Sequence, residues 1–177
     1  ISLGCDKNRV DTEKMLSRIS EAGYEIVGSE EESDIIIINT CAFIDSAKKE
    51  SIDEIYSALS FKEKSDNKKK VIVTGCLSQR YLDDLNKGIS DVDAYLGVCN
   101  YDDNIDAIKT LESGKKFRCT DKKDKFTPER VLTTPYHYAY LKIAEGCSNR
   151  CTYCAIPQIR GKMRSRTMKD IIEEATA

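Results

Sequence analysis

Asp34-Ile35-Ile36-Ile37-Ile38-Asn39-Thr40 is the stretch on which the fold turns. Its β-branched run has no polar alternation, which is what a strand covered on both faces requires. Val71-Ile72-Val73-Thr74-Gly75 repeats that pattern downstream. Working outward, Ile1–Gly4, Tyr24–Val27 and Ala94–Val98 read as shorter strands. Between them apolar residues fall at helical spacing. Met15, Leu16 and Ile19 mark a helix from about Asp11 that stops at Ala22-Gly23. Further helices are predicted over Asp45–Leu59, Ser78–Lys87 and Asp102–Glu112, the last closed by Gly114.

Strands and helices alternating at this length predict an α/β fold, a flavodoxin-like or Rossmann-like parallel sheet with helices on both faces. The expected first domain spans residues 1–117. Residues 118–135, with Lys, Asp, Thr and two of the three prolines, read as a linker. From residue 136 to 177 a new strand (Tyr136–Ile143), a cysteine-rich loop and a helix near Met168 follow. Such a strand–loop–helix is too small to bury a core of its own, so it is expected to open a second domain. Ile1 starts inside a strand and Ala177 falls within a helical pattern, so the chain is expected to be part of a longer one.

Of the 177 residues, 40% are hydrophobic and 33% charged, too apolar for a disordered chain. Lys+Arg 28 against Asp+Glu 30 leaves a net charge of −2, which excludes a uniformly basic nucleic-acid glove. The longest aliphatic run, Ile35–Ile38, is far below the roughly 20 residues that span a bilayer. No export signal is present, so a cytoplasmic protein without membrane partners is expected. In that reducing setting the eight cysteines are expected to be metal ligands or reactive groups rather than disulfides.

Cys5, Cys41 and Cys76 each follow a predicted strand directly. Strand C-termini of a parallel sheet share one edge, where ligands bind, so these thiols can converge. The alternative is three buried core cysteines. Zinc usually takes four ligands in structural sites, so an iron–sulfur cluster with one open iron suits three thiolates better. Cys147, Cys151 and Cys154 form a second group, Gly-Cys-Ser-Asn-Arg-Cys-Thr-Tyr-Cys, with C-x3-C-x2-C spacing. Three thiolates so close can hold three irons of a cubane and leave the fourth open. A redox or zinc knuckle is the competing reading, although His137 is the only histidine.

C-x3-C-x2-C with Tyr153 before its last cysteine resembles the radical S-adenosylmethionine superfamily. In that superfamily the open iron chelates S-adenosylmethionine, whose reductive cleavage yields a 5′-deoxyadenosyl radical. A three-cysteine domain ahead of the motif is similar to the methylthiotransferases, which insert sulfur and a methyl group at an unactivated C–H bond. The stretches Ser2–Asn8, Asn39–Ala47, Thr74–Leu77, Glu145–Gly161 and Arg164–Arg166 are most similar to the branch that modifies the β carbon of an aspartate in a small-subunit ribosomal protein. The tRNA-adenosine branch usually has Gln-Met-Asn after its first cysteine, where this chain has Asp6-Lys7-Asn8.

The resemblance implies two 4Fe–4S clusters, an auxiliary one on Cys5, Cys41 and Cys76 and a radical one on Cys147, Cys151 and Cys154. It also implies S-adenosylmethionine as cofactor, an electron-donor protein, and a ribosomal protein (or tRNA, in the other branch) as substrate partner. Asn8 and Asn39 would bond cluster sulfurs or simply cap turns, and Tyr153 would lie against the cofactor's adenine or pack in a core. Against the enzyme stands a non-catalytic, flavodoxin-like module with zinc-bound or free thiols. Without the barrel and terminal domain that the family carries, the chain is not expected to turn over.

Other features are read more plainly. Cys99 is expected to be a half-buried structural thiol or a spare ligand, and Cys119 a free thiol in the linker. His137 lies among alternating Tyr136, Tyr138 and Tyr140, as one strand face needs. Arg160-Gly-Lys-Met-Arg-Ser-Arg166 either binds an anion or is a charged surface loop. Too few glycines follow Leu3 or Thr74 for a phosphate cradle.

Overall fold

The computed structural model describes residues 1–66, 68–120 and 129–176. In chain order the elements are α1 (Asp6–Glu21), β1 (Ile35–Thr40), α2 (Asp45–Lys64), β2 (Lys70–Gly75), α3 (Cys76–Gly88), β3 (Ala94–Leu96) and α4 (Asp103–Glu112). They continue with β4 (Phe117–Cys119), β5 (Ala144–Glu145), α5 (Ile156–Arg160), β6 (Arg164–Ser165) and α6 (Met168–Thr176). The main sheet runs β1-β2-β3-β4, all parallel, in the register Ile38↔Val73 and Val73↔Tyr95. The expected parallel α/β fold is therefore present.

Side-chain parity along the strands divides the core. Ile36, Ile38, Val71, Val73 and Tyr95 pack with Ile55 and Leu59 of α2 and Leu77 of α3. Ile72, Ala94 and Leu96 face the other way, onto Ile19 of α1 and Ala107 and Ile108 of α4. Alternate residues of one strand point to opposite faces, so each buried strand serves both helical layers.

The outer edge departs from expectation. Ile1–Gly4 makes one parallel bridge, Ser2↔Asn39, with the Leu3 N–H donating to the Asn39 carbonyl at 3.0 Å. Tyr24–Val27 is no strand; Ile26 and Val27 are exposed. The second face of β1 is thus only half covered, and Ile35 and Ile37 line an open cavity of about 570 Å³ with Met15, Tyr24 and Ile108. The first helix begins at Asp6, one turn before the apolar spacing suggested, because its first turn is polar and lies among other polar groups.

Two corrections concern the second half. Phe117–Cys119, across the expected linker boundary, is the edge strand β4, whose Arg118 sets its guanidinium over the Tyr95 ring at 4.8 Å. The rest of the expected linker from residue 121 to 128 lies outside the described residues. Tyr136–Ile143 is not a strand either. No neighbouring strand pairs with it among the described residues, and an unpartnered ladder has nothing to hold it extended. Its rings instead meet edge to face, Tyr138 against Tyr140 at 5.7 Å with their planes 83° apart. Only Ala144–Glu145 pairs, antiparallel with Arg164–Ser165. Lys142, Glu145, Ile159 and Arg160 are buried against the sheet domain, while 148–153 stays exposed; α5 packs on α3, and Ile159 joins the core that holds Leu77 and Tyr101. Among the described residues no helix is long and apolar enough to cross a membrane.

Candidate metal centres

Cys5, Cys41 and Cys76 stand at neighbouring strand-to-helix turns. Cys5 caps the N-terminus of α1 without spending its side chain on a cap bond. Cys76 is the first residue of α3. Cys41 follows β1 directly, its N–H donating to Ser51 Oγ at 3.0 Å while that hydroxyl donates back to the Cys41 carbonyl at 3.1 Å. A helix N-terminus carries partial positive charge, which favours thiolate at Cys76. Burial works against it and pushes the Cys76 thiol up to about 11, although nearby Arg160 pulls the other way.

Asn8, completely buried, joins the three turns. Its Nδ2 donates to the carbonyls of Leu3 (3.0 Å) and Thr40 (2.9 Å), and its Oδ1 accepts from Cys76 Sγ at 3.7 Å. Asn39 secures the same junction, donating to the Asn8 carbonyl at 2.9 Å. Two glycines allow the close approach. A Cβ on Gly4 would lie 2.9 Å from Cys41 Sγ. At Gly75, with φ +96°, a Cβ would lie 2.3 Å from Asn39 Oδ1 and 2.6 Å from the Thr40 carbonyl.

Cys147, Cys151 and Cys154 occupy the loop between β5 and α5. The Cys147 N–H donates to the Gly161 carbonyl at 3.0 Å and the Cys154 N–H to that of Cys151 at 3.0 Å. None of the eight cysteines is in a disulfide. Three soft sulfur donors in each group suit iron or zinc rather than a hard cation. Among the described residues no three His, Cys, Asp or Glu side chains already form a ready-made metal-ion site.

Between the two groups lies a buried ionic cluster that the sequence reading missed. Lys142 Nζ donates to Asp11 Oδ1 (2.6 Å), Glu145 Oε2 (2.8 Å) and the Tyr101 hydroxyl (3.0 Å). Arg160 Nη1 donates to Asp11 Oδ2 and Glu145 Oε2, both at 3.0 Å. Burial would push both carboxyls up, but Lys142 and Arg160 outweigh it and hold them below the ordinary range. Burial would likewise lower the two cations, and the facing acids reverse that. All four groups are therefore charged at neutral pH, and the cluster is balanced.

Residues 1–97 match the family described as "Uncharacterized protein family UPF0004". The chain belongs to the UPF0004 family. Its match takes in Cys5, Cys41 and Cys76, together with Asn8 and Asp11, and stops short of the 147–154 loop. Over 99% of its length the chain is 53% identical to a protein of Clostridium tetani named "Ribosomal protein uS12 methylthiotransferase RimO". Proteins of the same name from Caldicellulosiruptor saccharolyticus and Caldanaerobacter subterraneus are 50% and 51% identical over 99% of it. The chain spans about 40% of the length of these relatives.

Several expectations about this UPF0004 chain change with the geometry. Tyr153 is 90% exposed, so core packing is not its role. Arg160 and Arg166 are not surface residues: both are buried, and Arg166 pairs with buried Glu174. Cys119 is no linker thiol but the last residue of β4, donating to Asp103 Oδ2 at 3.3 Å. Cys99 is fully buried with φ +63°, donating to Glu145 Oε2 at 3.9 Å. One signal for the ionic cluster was legible. Asn8 and Asp11 continue the Met15–Ile19 stripe of α1 at helical spacing, so they had to face the core.

Proposed function

We propose that this chain is the cluster-binding portion of an enzyme that methylthiolates a ribosomal protein, most closely uS12 at the β carbon of an aspartate. The observation that carries this reading is Asn8 drawing together the turns of Cys5, Cys41 and Cys76, in a chain whose relatives bear that enzyme's name. Cys5, Cys41 and Cys76 would hold an auxiliary 4Fe–4S cluster, and Cys147, Cys151 and Cys154 a second one that binds S-adenosylmethionine. Bound there, that pair supplies hydrogen abstraction from an unactivated C–H bond, drawing electrons from a donor protein.

The chain's own residues hold and shield these groups. Ser51 fixes the Cys41 peptide, Gly4 and Gly75 let the turns close up, and buried Arg160 lies against Cys76 on the inner side of the site. Exposed Tyr153 stands on the cofactor loop, where an aromatic face can stack on adenine.

Anaerobic reconstitution of the full-length protein with iron and sulfide tests this. Two 4Fe–4S signals are expected, one lost on alanine replacement of Cys5, Cys41 and Cys76 and the other on replacement of Cys147, Cys151 and Cys154. Iron uptake indifferent to both replacements would end the proposal. Offering uS12 and tRNA separately, with products read by mass spectrometry, tests the substrate: a methylthio group on tRNA alone would overturn that part.

A further inference from the structure

Arg160 is the last residue of α5, six positions after Cys154, and is 2% exposed. Its guanidinium divides its work. Nη1 meets Asp11 and Glu145, whereas Nη2 donates to Asn8 Oδ1 at 2.7 Å and to Cys76 Sγ at 3.7 Å. Charge balance alone does not call for this second half. Lys142 already bonds both acids and spends its third bond on the Tyr101 hydroxyl. The backbone next to Arg160 is tied to the other cysteine group, since the Gly161 carbonyl accepts the Cys147 N–H. The loop stem is secured on its far side as well: Lys7, two residues after Cys5, donates to the Ala144 carbonyl at 2.9 Å.

We propose that Arg160 is a positioning residue that ties the Cys76 sulfur to the stem of the 147–154 loop and raises the reduction potential of the cluster held by Cys5, Cys41 and Cys76. This rests on the ligand assignment proposed above. A cationic N–H donor at a ligating sulfur stabilises the more negative, reduced cluster. A planar fork presents one nitrogen to the acids and the other to the sulfur, Nη1 to Asp11 and Glu145 and Nη2 to Cys76. The same side chain would keep the two clusters at a set spacing, because its other contacts lie on α1 and β5.

Cluster-by-cluster potentials test it. In full-length protein carrying Cys147→Ala, Cys151→Ala and Cys154→Ala, the midpoint potential of the remaining cluster is measured by dithionite titration with electron paramagnetic resonance. Arg160→Gln should make it more negative, and Arg160→Lys should restore part of the change. The other cluster, isolated by Cys5→Ala, Cys41→Ala and Cys76→Ala, should not move with either substitution. If Arg160→Gln does not fold, Asp11→Asn with Arg160→Gln keeps the charges balanced and gives the same readout. An unmoved auxiliary potential, or equal movement of both clusters, overturns the assignment. If the triple-alanine protein takes up no iron, the ligand assignment itself fails and takes this inference with it.

Discussion

Replacing Asp11 with Asn should destabilise the chain far more than any substitution at a surface carboxylate. Asp11 accepts from Lys142, Tyr101 and Arg160 at 2.6, 2.6 and 3.0 Å and is 4% exposed. The amide removes one negative charge from a balanced group of four. It also turns an N–H₂ towards donors, leaving Lys142 and Arg160 to share Glu145. Breaking a buried ion pair from one side costs about 3–5 kcal/mol. At about 2–4 °C per kcal/mol for a chain of this size, the midpoint should fall by about 6–20 °C. Thermal and urea unfolding followed by far-ultraviolet circular dichroism measure this, with exposed Asp53→Asn as a control that leaves the midpoint in place. The double variant Asp11→Asn/Lys142→Met pairs Arg160 with Glu145 alone and restores neutrality. Its loss should be well below the sum of the single losses. A loss under about 1 kcal/mol for Asp11→Asn, or strict additivity of the pair, would refute the claim that these charges are desolvated together.

Other outcomes follow from the same geometry. Gly75→Ala combines a backbone conformation reserved for glycine with a collision at Asn39 and Thr40. A loss of at least about 2 kcal/mol is expected in urea unfolding, together with iron uptake lost at the Cys5, Cys41 and Cys76 group only. Acid should unfold the chain through Asp11 and Glu145. Both are held below their ordinary values when folded, so their contribution is complete above about pH 4 and disappears as pH falls further. Unfolding midpoints measured from pH 7 to pH 3 should decline steeply at the acid end, and Asp11→Asn should flatten that decline.

The strands β1 and β2 were legible because four β-branched residues in a row leave few alternatives. The turn cysteines were legible because each directly follows such a run. Tyr24–Val27 and Tyr136–Ile143 are also rich in strand-favouring aromatic and β-branched residues and are not strands, for propensity supplies no ladder partner. Arg118 and Cys119 looked like linker because the residues that follow them are polar, yet β3 offers them an edge to pair with. Arg160 and Arg166, two of four cations in a seven-residue stretch, read either as an anion site or as a charged surface loop. Their acids come from Asp11, which is 149 positions away from Arg160, and from Glu174.

Residue order by itself determined the α/β class, the strand-end thiols and the C-x3-C-x2-C loop, since each is written in neighbours a few positions apart. Tertiary structure alone decided that Asn8 joins three turns and that Asp11, Lys142, Glu145 and Arg160 form one buried, balanced cluster between the two cysteine groups. The physical reason is that whether a charge is solvated or paired depends on what folds over it, and here the partners of α1 arrive from the far end of the chain.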